Sequence, residues 1–242
     1  MTPEELVNDI VQALPGTVQA AILYGSAAAG DFVGGTSNYN VLLVFDRLGP
    51  SELAALSKPS LRWAKAGNRP PLLFTRGELA SSAVVFPIEL LDMQQSHRIL
   101  HGEDVLANII VQPEHLRLQL ERELKVHLLR LREGYLLAGG KPRPVADVLT
   151  SSIAGFLVLF RAALRLFQED VPRHKTEAMQ SLAKHIPFDP RPLLEIDALR
   201  HRRLKRRDVD PLSLFDAYLA AIERVVDAVD RHLHPEKGSP SP

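Results

Sequence analysis

The sequence predicts an α+β protein in which a small mixed β-sheet domain is followed by an α-helical bundle. In the first part of the chain, short apolar runs alternate with amphipathic segments, an order that indicates a sheet flanked by helices. After about Gln112 the apolar residues recur only at helical spacing. The chain has 242 residues, enough for two modest domains. We place these domains at residues 1–111 and 112–235, with a disordered tail at 236–242.

The first element is a helix, and the residues at its start match a helix-capping pattern. Thr2 is a suitable N-cap, Pro3 suits the first helical position, and Glu5 stands where a capping box needs an acid. Apolar residues then repeat on one face until Pro15–Gly16 ends the helix.

The remaining elements of the sheet domain follow from apolar runs separated by glycine, proline and polar residues. They are predicted as strands at 18–23 and 40–45, a helix at 51–66, a strand at 72–74, a short helix at 76–82 and a fourth strand at 84–91. Pro87 lies inside the fourth strand, which favours an edge position or a bulge for it.

The second part of the chain carries four apolar stripes at helical spacing, which predict a bundle of four or five helices. The stripes run through residues 120–135, 149–167, 176–185 and 214–229. The side chains of these stripes are expected to form the core of the bundle.

The composition excludes several classes of protein. Lysine plus arginine equals aspartate plus glutamate, at 29 each, so no net charge draws the chain to nucleic acid or to a membrane. The absence of cysteine excludes disulfides, thiolate catalysis and cysteine-based zinc sites. The N-terminus is acidic and lacks the features of a signal peptide. The longest apolar stretch, 153–160, is too short to cross a bilayer, so we expect a cytoplasmic protein.

The segment between the first two strands carries the chemistry. Gly25 and Ser26 follow the first strand, and a glycine-rich loop leads to Asn38 and Asn40 at the start of the second strand. Alternation along a strand sends Asn38 and Asn40 to one face and Tyr39 to the other. Two ligands on one face can hold a divalent ion, and a glycine turn lets backbone amides approach phosphate oxygens.

This segment, LYGSAAAGDFVGGTSNYNVLLVF, resembles the signature of the nucleotidyltransferase superfamily, which includes polymerase beta-like and aminoglycoside-modifying members. That signature is a Gly-Ser pair followed by Asp-x-Asp on a strand. HRILHGEDVL resembles a second stretch, common after the sheet domain in bacterial members. The resemblance covers roughly residues 15 to 106.

The resemblance implies a role for each matching residue. Gly25 and Ser26 would lie against the triphosphate of ATP or another nucleoside triphosphate. Asn38 and Asn40 occupy the places of two aspartates, which with a third carboxylate from a later strand bind two Mg²⁺ ions in the family. Glu89 is the candidate for that third carboxylate, and Asp92 is the alternative.

The two asparagines lead to the hypothesis of a pseudoenzyme. Asparagine can coordinate a cation through its carbonyl oxygen but brings no charge, whereas Mg²⁺ prefers carboxylates and phosphates. Glu89 would be nearly the sole carboxylate left for a metal, unless Asp31 or Asp46 supplies a substitute. We therefore expect a nucleotide-binding or regulatory module without efficient transfer. The sequence leaves open whether the asparagines are natural or deliberate replacements of aspartate.

Two other functions stay open. One is an active nucleotidyltransferase that moves a nucleoside monophosphate to a small hydroxyl acceptor or a protein. The other is a partner-binding protein, such as a toxin–antitoxin component, that pairs through the helical bundle with itself or with another protein. In the predicted two-domain architecture, the cleft between the domains would hold Ser26, Asn38, Asn40 and Glu89.

Two further patterns favour structural explanations. His97 and His101 are four residues apart, a zinc-binding spacing on a helix, but Gly102 makes a continuing helix unfavourable, and surface or loop histidines are the simpler interpretation. Residues 200–207 carry six permanent cations without interleaved aromatic residues, and acidic residues flank them. A solvated helix end is favoured there over a nucleic-acid site.

Overall fold

A computed structural model describes residues 1–30, 38–167 and 170–233. The chain divides into two compact units, Met1–His115 and Leu116–Pro242. The tail at 236–242, predicted to be disordered, lies outside the described residues.

The first unit combines a four-stranded sheet with short helices. Its elements are α1 (Pro3–Ala13), β1 (Val18–Tyr24), α2 (Ser26–Ala29), β2 (Asn40–Phe45), α3 (Pro50–Lys65), β3 (Leu72–Thr75), α4 (Arg76–Ser81), a 3₁₀ turn (Ser82–Val84), α5 (Pro87–Gln95) and β4 (His97–Gly102). The strand order is β3-β2-β1-β4, with β3 parallel to β2 and the other pairs antiparallel. The predicted small mixed sheet is confirmed.

The predicted helix start at the N-terminus is also confirmed. The backbone N–H of Thr2 donates to Oε2 of Glu5 at 2.8 Å, and the N–H of Glu5 donates to the Thr2 hydroxyl at 3.2 Å. Each side chain thus satisfies a backbone donor that has no partner within the helix.

Each face of the sheet has its own apolar core. One face packs against α1 and α3 and includes Leu23, Leu43 and Trp63. The other packs against α4 and α5 and includes Ile22, Leu42 and Met93. Because β1 and β2 are buried on both faces, they are nearly continuous apolar runs, as the sequence indicated.

The predicted fourth strand at 84–91 is wrong. Residues 82–84 form the 3₁₀ turn, and α5 begins at Pro87. Proline fixes φ near the helical value and its missing N–H would have no partner in a first helical turn, so Pro87 starts a helix rather than interrupting a strand. The fourth strand is instead β4, whose burial along His97–Gly102 lacks regular alternation.

The second unit is helical throughout its described residues. Its elements are α6 (Pro113–Ala138), which begins just before the division, α7 (Pro142–Leu164), α8 (Lys175–Leu182), α9 (Arg191–Arg200), a 3₁₀ turn (Arg206–Asp208) and α10 (Pro211–Leu233). The predicted bundle of four or five helices is confirmed, with five. Its core is centred on α7, where Phe156 meets Tyr218 of α10 edge to face with ring centroids 5.8 Å apart.

Helix α7 is long and apolar enough to cross a membrane by length and composition alone. In the structure, 56% of its most apolar window is buried inside the protein. Such burial is expected for the central helix of a bundle, since a helix that packs on several sides is apolar nearly all round.

Candidate functional site

The Gly25–Ser26 turn occupies the end of β1 in a conformation that requires glycine. Gly25 has φ of 78° and ψ of −151°. Its carbonyl oxygen accepts hydrogen bonds from the N–H groups of Ala28 and Ala29 at 3.0 and 2.9 Å, which starts α2. A Cβ atom on Gly25 would lie 2.9 Å from Nδ2 of Asn40. The absence of a side chain therefore lets Asn40 approach the turn.

Asn40 begins β2 and lies opposite Tyr24, the last residue of β1. Alternation along β2 places Asn40 on the sheet face of Leu42 and Val44, which belong to the core beneath α4 and α5. Tyr39 lies on the other face, with its ring centroid 6.1 Å from that of Trp63. The two faces are divided here as the sequence predicted.

Asn38 precedes β2 and is exposed. It therefore lies outside the ladder of hydrogen bonds that fixes Asn40 against Tyr24. Whether Asn38 and Asn40 act on one ligand stays a prediction.

Glu89 belongs to a helix and not to a strand, which corrects the sequence prediction. It lies in the first turn of α5 and is exposed, and Asp92 follows one turn later on the same helix. A carboxylate in the first turn is favoured by the helix dipole, a structural reason for an acid at this position. Because Leu90 and Met93 pack onto the core shared with Leu42, α5 covers the same face that carries Asn40.

Tyr24 is the strand partner of Asn40, and the charge of Glu89 acts on its hydroxyl. No role was predicted for Tyr24 from the sequence. The pKa of the Tyr24 hydroxyl is raised to about 12, mainly by burial; the charge of Arg69 lowers it and the charge of Glu89 raises it. Both charges thus act on the hydroxyl at the end of β1. The signal in the sequence was the position of Tyr24 directly before the Gly-Ser pair.

His97 extends this row across the sheet, since it lies opposite Tyr24 on β4. Its Nδ1 is 2.9 Å from the carbonyl oxygen of Met93, and its Nε2 is 3.2 Å from Oδ2 of Asp104. Oδ1 of Asp104 accepts from the N–H of Leu106 at 3.1 Å. His97 therefore ties β4 to α5 and to the following turn, and it is neither a loop residue nor half of a helical zinc pair.

Among the residues that the structure describes, those around Asn40 do not fit the two Mg²⁺ ions that the resemblance implies. The strands after β2 supply no acid, because β3 is LLFT and β4 is HRILHG. Asp46 lies at the opposite end of β2 from Asn40 and accepts a hydrogen bond from Gln19 at 2.7 Å. Asp31 lies outside the described residues. Among the residues that the structure describes, no three His, Asp or Glu side chains are grouped to hold a metal.

An open surface depression exists elsewhere in the first unit, between α1 and α3. It is lined by Met1, Glu5, Asn8, Asp9, Arg62, Lys65 and Ala66. Because α1 and α3 cover the other face of the sheet, this depression is separate from the corner that holds Gly25 and Asn40. The candidate site is identified by the Gly25 turn beside Asn40 and not by the size of a depression.

Comparison with known proteins identifies the fold. The chain is similar to spectinomycin adenyltransferase AAD(9) from Enterococcus faecialis, solved with ATP and spectinomycin, with a TM-score of 0.57 and 13% sequence identity. The similarity covers 92% of this chain and 98% of that chain. No protein-family model matches the chain, and neither does a curated protein sequence. The chain therefore has a nucleotidyltransferase fold, as its sequence predicted.

Proposed function

We propose that this chain, which has a nucleotidyltransferase fold, binds a nucleoside triphosphate but does not transfer nucleotides efficiently. The observation that carries the proposal is Asn40, a neutral side chain at the start of β2, beside a Gly25 turn that keeps its special conformation. This arrangement supports a turn that approaches phosphate oxygens next to metal-binding positions that carry no charge.

The missing charge is decisive for transfer. Two Mg²⁺ ions bring four positive charges, and neutral amide oxygens offset none of them. The exposed carboxylate of Glu89 would be the main anionic ligand, and it projects from a helix instead of from a strand next to β2. Metal ions in such reactions stabilise both the attacking and the leaving oxygen, so their loss removes most of the rate enhancement.

Nucleotide binding has independent support. The turn at Gly25 depends on backbone conformation, and it forms in this chain with Asn40 beside it. The similar adenyltransferase was solved with ATP. A nucleotide held without catalysis would serve as a ligand of a regulatory module, and ATP is the first candidate.

Isothermal titration calorimetry of the full chain with ATP, CTP, GTP and UTP tests this proposal. We expect saturable binding of at least one nucleotide. Addition of MgCl₂ should change the affinity by less than about threefold, which is well below the tenfold change that corresponds to about 1.4 kcal/mol. The absence of binding would overturn the nucleotide-binding part. Binding that requires Mg²⁺, together with release of pyrophosphate in the presence of a hydroxyl acceptor, would establish the active transferase instead.

A further inference from the structure

The segment Arg200–Arg207, here called the cationic loop, joins α9 to α10 and is an ordered turn. The N–H of Arg202 donates to the carbonyl oxygen of Leu199 at 3.1 Å, and the N–H of Arg203 donates to that of Ala198 at 2.9 Å. These bonds satisfy carbonyl groups at the end of α9. The loop therefore has a defined backbone at the end of α9, where the sequence favoured a solvated helix end.

A buried carboxylate anchors the loop from inside. Asp197 is 4% exposed, and its Oδ2 accepts from Nη2 of Arg203 at 2.6 Å. Its Oδ1 is 3.2 Å from Nδ1 of His201. A second ion pair, 2.6 Å between Arg206 and Asp147, ties the loop to the first part of α7. Some of the cations thus have a structural role.

Arg202 holds an unfavourable backbone conformation at the centre of the loop. Its φ of 57° lies in the left-handed region, and no other non-glycine residue in the described part of the chain has a positive φ. Glycine is the usual residue directly after a helix end in this conformation, because it lacks the clashing Cβ. The positive φ of Arg202 therefore belongs to the hydrogen-bonded turn that ends α9, and the charged side chain at this position is exposed.

Three cations of the loop are available to a ligand. Arg200, Arg202 and Lys205 form no ion pair within the described residues.

The acidic residues near the cationic loop either contact other residues or point in a different direction around α9. Asp208 lies 3.7 Å from Arg207, and Asp210 accepts hydrogen bonds from Ser213 and Leu212 at the start of α10. Glu195 is five positions before Arg200 on α9, which separates their directions by roughly 140° around the helix.

We propose that the cationic loop binds the phosphate backbone of a nucleic acid through Arg200, Arg202 and Lys205. Guanidinium and ammonium groups recognise phosphate oxygens, and a rigid loop loses little conformational entropy on binding. Because residues 200–207 include no aromatic side chain for base stacking, the recognition is independent of base sequence. RNA and DNA share this chemistry. The site belongs to the second unit and does not depend on the nucleotide proposed for the first.

Fluorescence anisotropy of labelled single-stranded RNA and DNA of mixed sequence, titrated with the full chain, tests the proposal. Three phosphate contacts predict a slope of about −2 for log K against log salt concentration. Similar affinity for both polymers indicates backbone recognition, and binding of only one identifies the source of the phosphates. Absence of binding at low salt, or binding only to vesicles of anionic phospholipid, would overturn the proposal.

Arg202→Gly is the most informative variant, because it removes the cation and also the backbone strain. We expect an unchanged or higher thermal midpoint, a dissociation constant roughly three- to tenfold weaker, and a salt slope less steep by about 0.7. The triple variant Arg200→Gln/Arg202→Gly/Lys205→Gln should abolish salt-dependent binding. Retained affinity in a folded triple variant would assign the binding to another surface and overturn the proposal.

Arg117→Gln is the matched control, since Arg117 is an exposed arginine with no ion pair in the described part of the chain. Arg117 lies near the start of α6. Because the helix rises 1.5 Å per residue, Arg117 is about 30 Å along the helix axis from Ala138, the last residue of α6. The affinity of this variant should equal that of the parent chain. An equal loss in Arg117→Gln and Arg202→Gly would show only a general effect of net charge and would contradict the proposed site.

Discussion

At the scale of single residues, the candidate site depends on a backbone conformation and on the side chain that fills the space beside it. Gly25 has positive φ, and Nδ2 of Asn40 lies 2.9 Å from the position that its Cβ would take. A larger residue at position 25 therefore meets two separate obstacles. One is the intrinsic energy of the conformation, and the other is contact with Asn40.

Gly25→Ala should damage both stability and nucleotide binding. The unfavourable dihedral angles alone destabilise the fold by about 1–3 kcal/mol. Displacement of Asn40 by the new methyl group should weaken ATP binding by at least about tenfold, which calorimetry measures directly.

Gly16→Ala provides the control for this substitution. Gly16 has φ of 72°, but an added Cβ would meet no atom within 4 Å. Gly16→Ala should lose stability and keep its affinity for ATP. Equal affinity in the Gly25→Ala and Gly16→Ala variants would contradict the assignment of the Gly25 turn to the nucleotide site.

Tyr24 predicts a loss of stability in alkaline solution. Its pKa is about 12 in the folded chain, compared with 10.0 for an unperturbed tyrosine, because burial disfavours the phenolate. Its contribution is fully present below pH 10 and is lost as the pH rises through 12, since the unfolded chain releases the proton first. A shift of this size corresponds to about 3 kcal/mol.

Tyr24→Phe should remove this part of the alkaline loss. Urea unfolding of both proteins at pH 9 and pH 11 gives the comparison, and the parent chain should lose more stability than the variant between these two pH values. Some loss will persist in the variant, because burial also raises the pKa of Tyr218. Parallel curves for the two proteins would contradict the raised pKa of Tyr24.

At the scale of elements, apolar periodicity predicted most of the fold, and its failures have local causes. The buried strands β1 and β2 and the long helices α6, α7 and α10 carry strong patterns. The segment VVFPIELL combines branched residues typical of strands with a proline that starts a helix. Packing of Leu90 into the core favours the helix over the strand. Glu89 was misplaced for this reason.

Two further elements were not predicted. Strand β4 lies at the edge of the sheet and is partly exposed, so its residues do not alternate between apolar and polar. Helix α9 was passed over although Leu193, Ile196 and Leu199 are spaced by three residues and buried. The row formed by Asn40, Tyr24 and His97 depends on strand register, which a single sequence does not specify.

Close packing of α6 against α7 predicts a large effect from one added methyl group. A Cβ on Gly155 of α7 would lie 2.8 Å from Nε2 of His127 on α6. The His127 ring is held by an edge contact with Phe156 and by a 2.9 Å contact between its Nδ1 and the Glu123 carbonyl oxygen. Gly155→Ala should therefore destabilise the fold by about 1–3 kcal/mol in urea unfolding.

His127→Ala should relieve this clash, so that Gly155→Ala has a smaller effect in the His127→Ala background than alone. Gly77→Ala in α4 is the control, because its added methyl group would meet no atom within 4 Å. That variant should be neutral or stabilising by up to about 1 kcal/mol, since alanine is the better helix former. Additive effects of Gly155→Ala and His127→Ala would contradict the packing contact.

At the scale of the whole molecule, the two proposed sites belong to different units and use different chemistry. The first unit offers a glycine turn and neutral amides, and the second offers free cations on an anchored loop. The chain as a whole has no net charge, so any attraction to a phosphate ligand has to be local. A nucleotidyltransferase fold without its carboxylates is thus compatible with binding functions that need no metal.

The geometry of the sheet defines what a working metal site would require. Leu72 of β3 is the partner of Leu42 on β2, and it shares the face of Phe74, which packs into the core that includes Leu42. Leu72 is 41% exposed, so an acid there remains solvated. Asn40 is the diagonal neighbour of Leu72 on that face, a distance that long side chains can span.

The double variant Asn38→Asp/Asn40→Asp should therefore bind Mg²⁺ only weakly. Addition of Leu72→Glu should tighten this binding by at least about tenfold, because a third carboxylate then lies on the strand beside β2. Calorimetric titration with MgCl₂ measures both variants. Leu61→Glu, at a residue 62% exposed on α3, adds the same charge outside the site and should leave the double variant unchanged. If the double variant binds Mg²⁺ as tightly as the triple variant, Glu89 already completes the site from α5 and no carboxylate is needed on β3.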